Sequence, residues 1–253
     1  MLRFAFPRLA TAATALLSGA FIASPGLAQD WEAGALGLAG RVAVADQYGG
    51  TLSVVDLASG EVARLPVPVS PHNVDATPDG RSLLIVGEAM AAGMVMGNEE
   101  EEDEDEEEAP GLLVVLRADD PSAAPVEIPV GVHPAHVVPD REGRRAFVTN
   151  AGDNTVTVVD LASYEVVGTV TTGVYPHGQR VSPQGSELYV ANVEDGSVSV
   201  IDTGTLTEVA RIPVGSAPVQ VGFLPDGSRA YVSLRAEDAV AVIDTASRAV
   251  VAK

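Results

Sequence analysis

FVTNAGDNTVTVVD at residues 147–160 returns as YVANVEDGSVSVID at 189–202 and as YVSLRAEDAVAVID at 231–244. Each return lies 42 positions further on. Self-similarity at a fixed period of this size marks a repeat architecture, in which one supersecondary unit recurs and buries its faces against its neighbours. Inside the unit the hydrophobic period is two. Thr155, Val156, Thr157 and Val158 alternate polar and apolar, as do Ser197, Val198, Ser199 and Val200, which predicts half-buried strands rather than helix.

Four short strands fit each unit. In the clearest repeat they fall near residues 178–181, 187–192, 197–202 and 208–214, here called A, B, C and D. A and B are joined by Pro78-Asp79-Gly80, Pro183-Gln184-Gly185 and Pro225-Asp226-Gly227, where glycine can take the positive φ of a tight turn. C and D are joined by turns that open with Asp56, Asp160 and Asp244, followed by a serine. An aspartate in every such turn caps the turn backbone, and this reading is favoured over a catalytic carboxylate.

Four strands per unit with turn signals between them predict an all-β chain, a β-propeller of four-stranded antiparallel blades. The FVTN and YVAN segments, the NTVTVVD and GSVSVID segments that follow, and the closing IPVG at 128–131 and 212–215 resemble the YVTN β-propeller repeat proteins, of the YncE-like and cytochrome d1-type propellers. The resemblance covers residues 41–253, with about 4.6 repeats once an insertion is set aside. The first unit starts at its B strand and the last stops at its D strand. The expectation is therefore a fragment of a longer, seven-bladed propeller, incomplete at the C-terminus; five blades are the alternative.

Residues 1–28 read as a secretory signal peptide. Arg3 and Arg8 open it, 9–23 is apolar and small, and Gly26-Leu27-Ala28 offers a cleavage site after Ala28. A membrane anchor is disfavoured because Ser18 and Pro25 interrupt a run already short for a span. Residues 29–40 form a linker. The expected location is periplasmic or secreted, with no membrane span after cleavage. The chain has no cysteine, which excludes disulfides, thiol catalysis, thiolate metal sites and covalent c-type haem attachment. With 35 acids against 15 bases and a net charge of −20, nucleic acid is not an expected partner.

All four histidines fall in one class of loop, the D–A junction. His72 follows Pro71 and His177 follows Pro176, while His133 and His136 flank Pro134. The matching place in the next repeat holds Val219. Three successive blades thus carry histidine at the entrance to their innermost strands. Imidazole suits Zn or Cu, and converging loops can supply three or four ligands without a local motif. The resemblance allows a metal or haem-type cofactor at that opening. The alternative is that Pro-His is loop chemistry alone.

An insertion at 88–110 between strands B and C of the second repeat carries Met90, Met94 and Met96, then ten acids at 99–108. Such a run is normally solvated. Methionine thioethers favour Cu(I), so an accessory metal role competes with simple packing of these methionines. Alternate turns of a meander share one end, which places the insertion on the histidine face.

No nucleotide-binding glycine loop or GxSxG elbow occurs, and the single tryptophan, Trp31, lies outside the repeats. The function expected is binding rather than catalysis: a metal ion or cofactor held by His72, His133, His136 and His177. Two alternatives remain, a scaffold for a periplasmic protein partner without metal and a metal-dependent propeller hydrolase or lactonase. The mark of the last would be a carboxylate beside the histidines, for which the A strands offer Asp75 and little else.

Overall fold

A computed structural model describes residues 40–90, 111–120 and 122–253. The signal segment 1–28, Met94, Met96 and the acidic run at 99–108 lie outside the described residues. Five antiparallel sheets follow one another along the chain. The first is β1 (Arg41–Asp46), β2 (Thr51–Asp56) and β3 (Val62–Pro66). The second is β4 (Val69–Ala76), β5 (Ser82–Ala89), β6 (Gly111–Arg117) and β7 (Val126–Pro129). The third is β8 (Pro134–Pro139), β9 (Arg145–Asn150), β10 (Thr155–Asp160) and β11 (Glu165–Thr171). The fourth is β12 (Pro176–Val181), β13 (Glu187–Asn192), β14 (Ser197–Asp202) and β15 (Thr207–Pro213). The fifth is β16 (Pro218–Phe223), β17 (Arg229–Leu234), β18 (Ala239–Asp244) and β19 (Ala249–Ala252). The chain is a β-propeller of these blades. Among the described residues no strand A precedes β1, as the repeat phase anticipates.

The middle strands of the second, third and fourth blades are buried on both faces because each of these blades lies between two others. In β13, Leu188 and Val190 point to the third blade and pack with Phe147, Val156 and Val158. Tyr189 and Ala191 point the other way, and with Val198 and Val200 pack against Val232, Leu234 and Ile243 of the fifth blade. The Tyr189 ring meets Phe223 edge-on at 5.0 Å between centroids. Apolar residues at every position of a B strand are thus the mark of an interior blade.

The C–D turns behave as the sequence reading expects. Asp160 Oδ1 accepts the N–H groups of Ala162 and Ser163, both at 2.9 Å. Asp202 Oδ1 accepts those of Gly204 at 2.9 Å and Thr205 at 2.7 Å, and Asp56 and Asp244 hold their own turns in the same way. Backbone hydrogen bonds, from Ser59, Ser163, Thr205 and Ser247 first, hold the four carboxyls below the usual range. A depressed folded-state pKa adds stability above the unfolded value of about 3.9 and loses it as pH falls through the lower folded value. Thermal melts below pH 4 should therefore show a falling midpoint, with a shallower fall in Asp202→Ala. An unchanged slope in that variant would remove the turn aspartates as its cause.

The second blade corrects one boundary. Strand β5 runs on through Ala89, with Gly87 opposite Pro71 and Glu88 opposite Ser70. Glu88 therefore belongs to the sheet rather than to the insertion.

Candidate metal centre

The innermost strands β8, β12 and β16 begin at a proline and β4 carries Pro71 as its third residue, and in all four a β-bulge follows the proline. A bulge leaves a residue out of the ladder and re-aims its side chain. In β4 the ladder passes from Pro71 to Asn73, skipping His72. In β12 it passes from Pro176 to Gln179, skipping His177, and in β8 it resumes at His136 opposite Thr149.

Three histidines from three blades converge. One nitrogen from each of His72, His136 and His177 lies within 4.8 Å of the other two. Ring centroids are 4.8 Å apart for His136 and His177, 5.5 Å for His72 and His177, and 6.1 Å for His72 and His136. His136 is buried, His177 half-buried and His72 open to solvent.

Buried polar groups of the neighbouring strands lock the carriers. Thr149 Oγ1 accepts the His136 N–H at 3.0 Å and donates to the His177 carbonyl at 2.8 Å, tying β8 to β12. Gln179 Nε2 donates to the carbonyls of His136 at 3.0 Å and Phe147 at 2.7 Å. Asn73 Oδ1 accepts the N–H of Val137 at 3.1 Å, tying β4 to β8. On the fourth inner strand, Val219 holds the place of a histidine, and its neighbour Gln220 puts Nε2 3.2 Å from His136 Nε2. Gly178 fits beneath this contact because a Cβ there would run into the Val219 carbonyl and the Gln220 amide oxygen.

All three imidazoles have lowered pKa values, which favours their neutral form. Burial drives His136 well below its ordinary value, and its neighbours His177 and His72 add to the shift. Burial, then His72, lowers His177 to about 4. Although His72 is exposed as a residue, desolvation of its ring, which packs edge-on to His136 and His177, lowers its pKa against the opposing pull of Glu88. Among the described residues His177 Nδ1 is buried with no hydrogen-bond partner, a costly state for a polar atom. Because these bases protonate more readily in the unfolded chain, metal-free protein is most stable above pH 6.5 and loses stability as pH falls towards 4. His136→Ala should flatten that part of the melting curve, measured in chelator. A full slope in the variant would count against it.

The other candidates lie elsewhere. His133 stands in the loop before β8 with its Nδ1 against Glu88 Oε1. Its φ of 48° is shared by its counterparts Tyr175 at 58° and Ala217 at 50°, so the left-handed turn belongs to the loop. The His133 carbonyl accepts the Ala151 N–H at 2.9 Å, which puts the D–A and B–C loops on one face. Met90 follows β5 and lies on Gly50 of the β1–β2 turn, where a Cβ would come 2.9 Å from its sulfur. Asp75 faces Arg180 at 3.8 Å, and burial raises its carboxyl pKa despite that partner.

Glu88 is the residue the sequence reading missed. It lines a small cavity of ≈ 100 Å³ with Gln47, Ser70, His72, His133 and His177. The signal was present: one place past the B motif, where other repeats carry Ala151, Val193 and Arg235, the second repeat carries an acid.

The family described as Cytochrome D1 heme domain matches residues 106–253. Among solved structures, Kuenenia stuttgartiensis hydrazine synthase aligns with a TM-score of 0.60 and 26% identity, over 74% of this chain and 49% of that one. A functionally unknown protein from Desulfotomaculum acetoxidans DSM 771 aligns with a TM-score of 0.64 and 19% identity, over 80% of this chain and 61% of that one. The chain thus spans about half to three-fifths of the length of these two proteins. No curated protein matches it.

Proposed function

We propose that this chain, which belongs to the Cytochrome D1 heme domain family, is an exported, periplasmic binding protein that holds one Zn or Cu ion through His72, His136 and His177. The observation that carries this is the convergence of three imidazole nitrogens, one from each histidine, within 4.8 Å of one another. A tetrahedral ion with metal–nitrogen bonds of about 2.0–2.1 Å sets its donors roughly 3.3 Å apart, within reach of small ring rotations from the present spacing. His177 Nδ1 is buried with no hydrogen-bond partner among the described residues, which leaves it able to take one. Three protein ligands leave a fourth position for water or an incoming group.

The haem named by the family does not fit these histidines. Haem needs a flat slot beside the ring that holds it, whereas here each of the three imidazoles lies against the other two, with His136 and His177 in tilted contact at 4.8 Å. The adjoining cavity of ≈ 100 Å³ has room for about three waters. The donor set fits a bare ion.

The test is metal content of residues 29–253, purified without chelator or affinity tag, followed by calorimetric titration with Zn²⁺. The expected result is about one ion per chain. Folded protein that takes up no Zn²⁺ or Cu ion would overturn the reading.

A further inference from the structure

We infer that His133 and Glu88 form an outer capture station through which a divalent cation passes to and from the three-histidine site, an inference that rests on the metal reading above. Metal-ligating histidines characteristically donate their second ring N–H to a carboxylate, which fixes tautomer and ring orientation. His133 has that arrangement, with Nδ1 on Glu88 Oε1. With its proton on Nδ1 against the carboxylate, the ring would present Nε2 to a cation.

Position supports the same role. His133 and Glu88 line the cavity that His72 and His177 also line. The side chains of the pair are 48% and 52% exposed, His72 is exposed, His177 half-buried and His136 8% exposed. The donors thus form a series of falling solvent access from the surface inward. An aqueous cation must shed its waters in steps to reach a buried site, and each donor on the way replaces one. Glu88 adds a negative charge at the opening, which raises the local cation concentration. Its charge is felt at His72, the next donor inward.

A station on the path lowers the barrier in both directions and leaves the end states alone. This separates it from a fourth permanent ligand, whose loss would weaken affinity through faster release. The probe is Co²⁺, followed by its visible absorption in stopped flow and in equilibrium titration. His133→Asn is chosen because asparagine tolerates the left-handed φ of 48°. Glu88→Gln removes the charge and retains an amide hydrogen bond. The expected result for His133→Asn is loading and release both slowed on the order of tenfold, with Kd unchanged. Glu88→Gln should slow loading less and reduce its salt dependence.

Unchanged rates in both variants, with Co²⁺ still bound, would overturn the station and leave the three-histidine site standing. A weakened Kd with unchanged loading would also overturn it, making His133 a resident ligand. Wild-type protein that binds no Co²⁺ would instead sink the underlying metal reading.

Discussion

His177→Ala protein leaves purification without bound metal, and its Zn²⁺ affinity falls by on the order of a hundredfold or more. Altering groups that merely orient a ligand typically costs 10–100-fold, so losing one of three ligands costs at least as much. His177 is the most informative choice because its buried Nδ1 has no hydrogen-bond partner among the described residues. Removing it deletes a donor without freeing a protein partner at that nitrogen. Circular dichroism and a thermal melt establish that the variant is folded. Deletion of residues 99–108 is the comparison, and it should weaken binding far less, since a solvated acidic run attracts cations without a defined geometry. Equal losses in the two variants would move the site to the acidic segment. No loss in either would leave the histidines as loop chemistry.

Gly178→Ala is expected to be the most damaging single methyl in the inner ring. The added Cβ meets the Val219 carbonyl and the Gln220 amide oxygen, both on β16. Backbone cannot swing aside as a long side chain can, so β12 and β16 must part. Overpacking of this kind costs about 1–3 kcal/mol, and the upper end applies where backbone is the obstacle. His177 is the adjoining residue, so the displacement also spreads the three nitrogens and weakens metal binding. Gly222→Ala provides an internal control on β16, because nothing lies within 4 Å of a Cβ there. A normal melting temperature for Gly178→Ala would show that the inner strands pack more loosely than this geometry requires. A lowered one for Gly222→Ala would remove the contrast.

The blade was legible residue by residue. Alternation at 155–160 and 197–202 became β10 and β14. The proline–glycine and Asp–Ser turns became the A–B and C–D connections, because their chemistry is local and acts the same way in every copy. That the first unit shows no A strand among the described residues was equally visible in the phase of the repeat. Less legible was the end of β5. The eye stops at the place of Asn150 and Asn192, yet Glu88 pairs on against Ser70 and Gly111. Its partner strands lie on either side of an insertion, and strand length depends on what is available to pair.

The sequence by itself determined that the chain is a run of antiparallel blades and that its histidines enter at one class of junction, because period, turn chemistry and proline position are properties of neighbouring residues. Only the tertiary structure decided which histidines meet. By repeat position His72 and His177 are counterparts of Ala135, with His136 one place further on, so no register rule joins the three. The bulges after Pro71, Pro134 and Pro176 turn His72, His136 and His177 towards one point and leave His133 on Glu88. That convergence depends on how neighbouring blades pack, through Thr149, Gln179 and Asn73, and packing between blades is long-range in the chain.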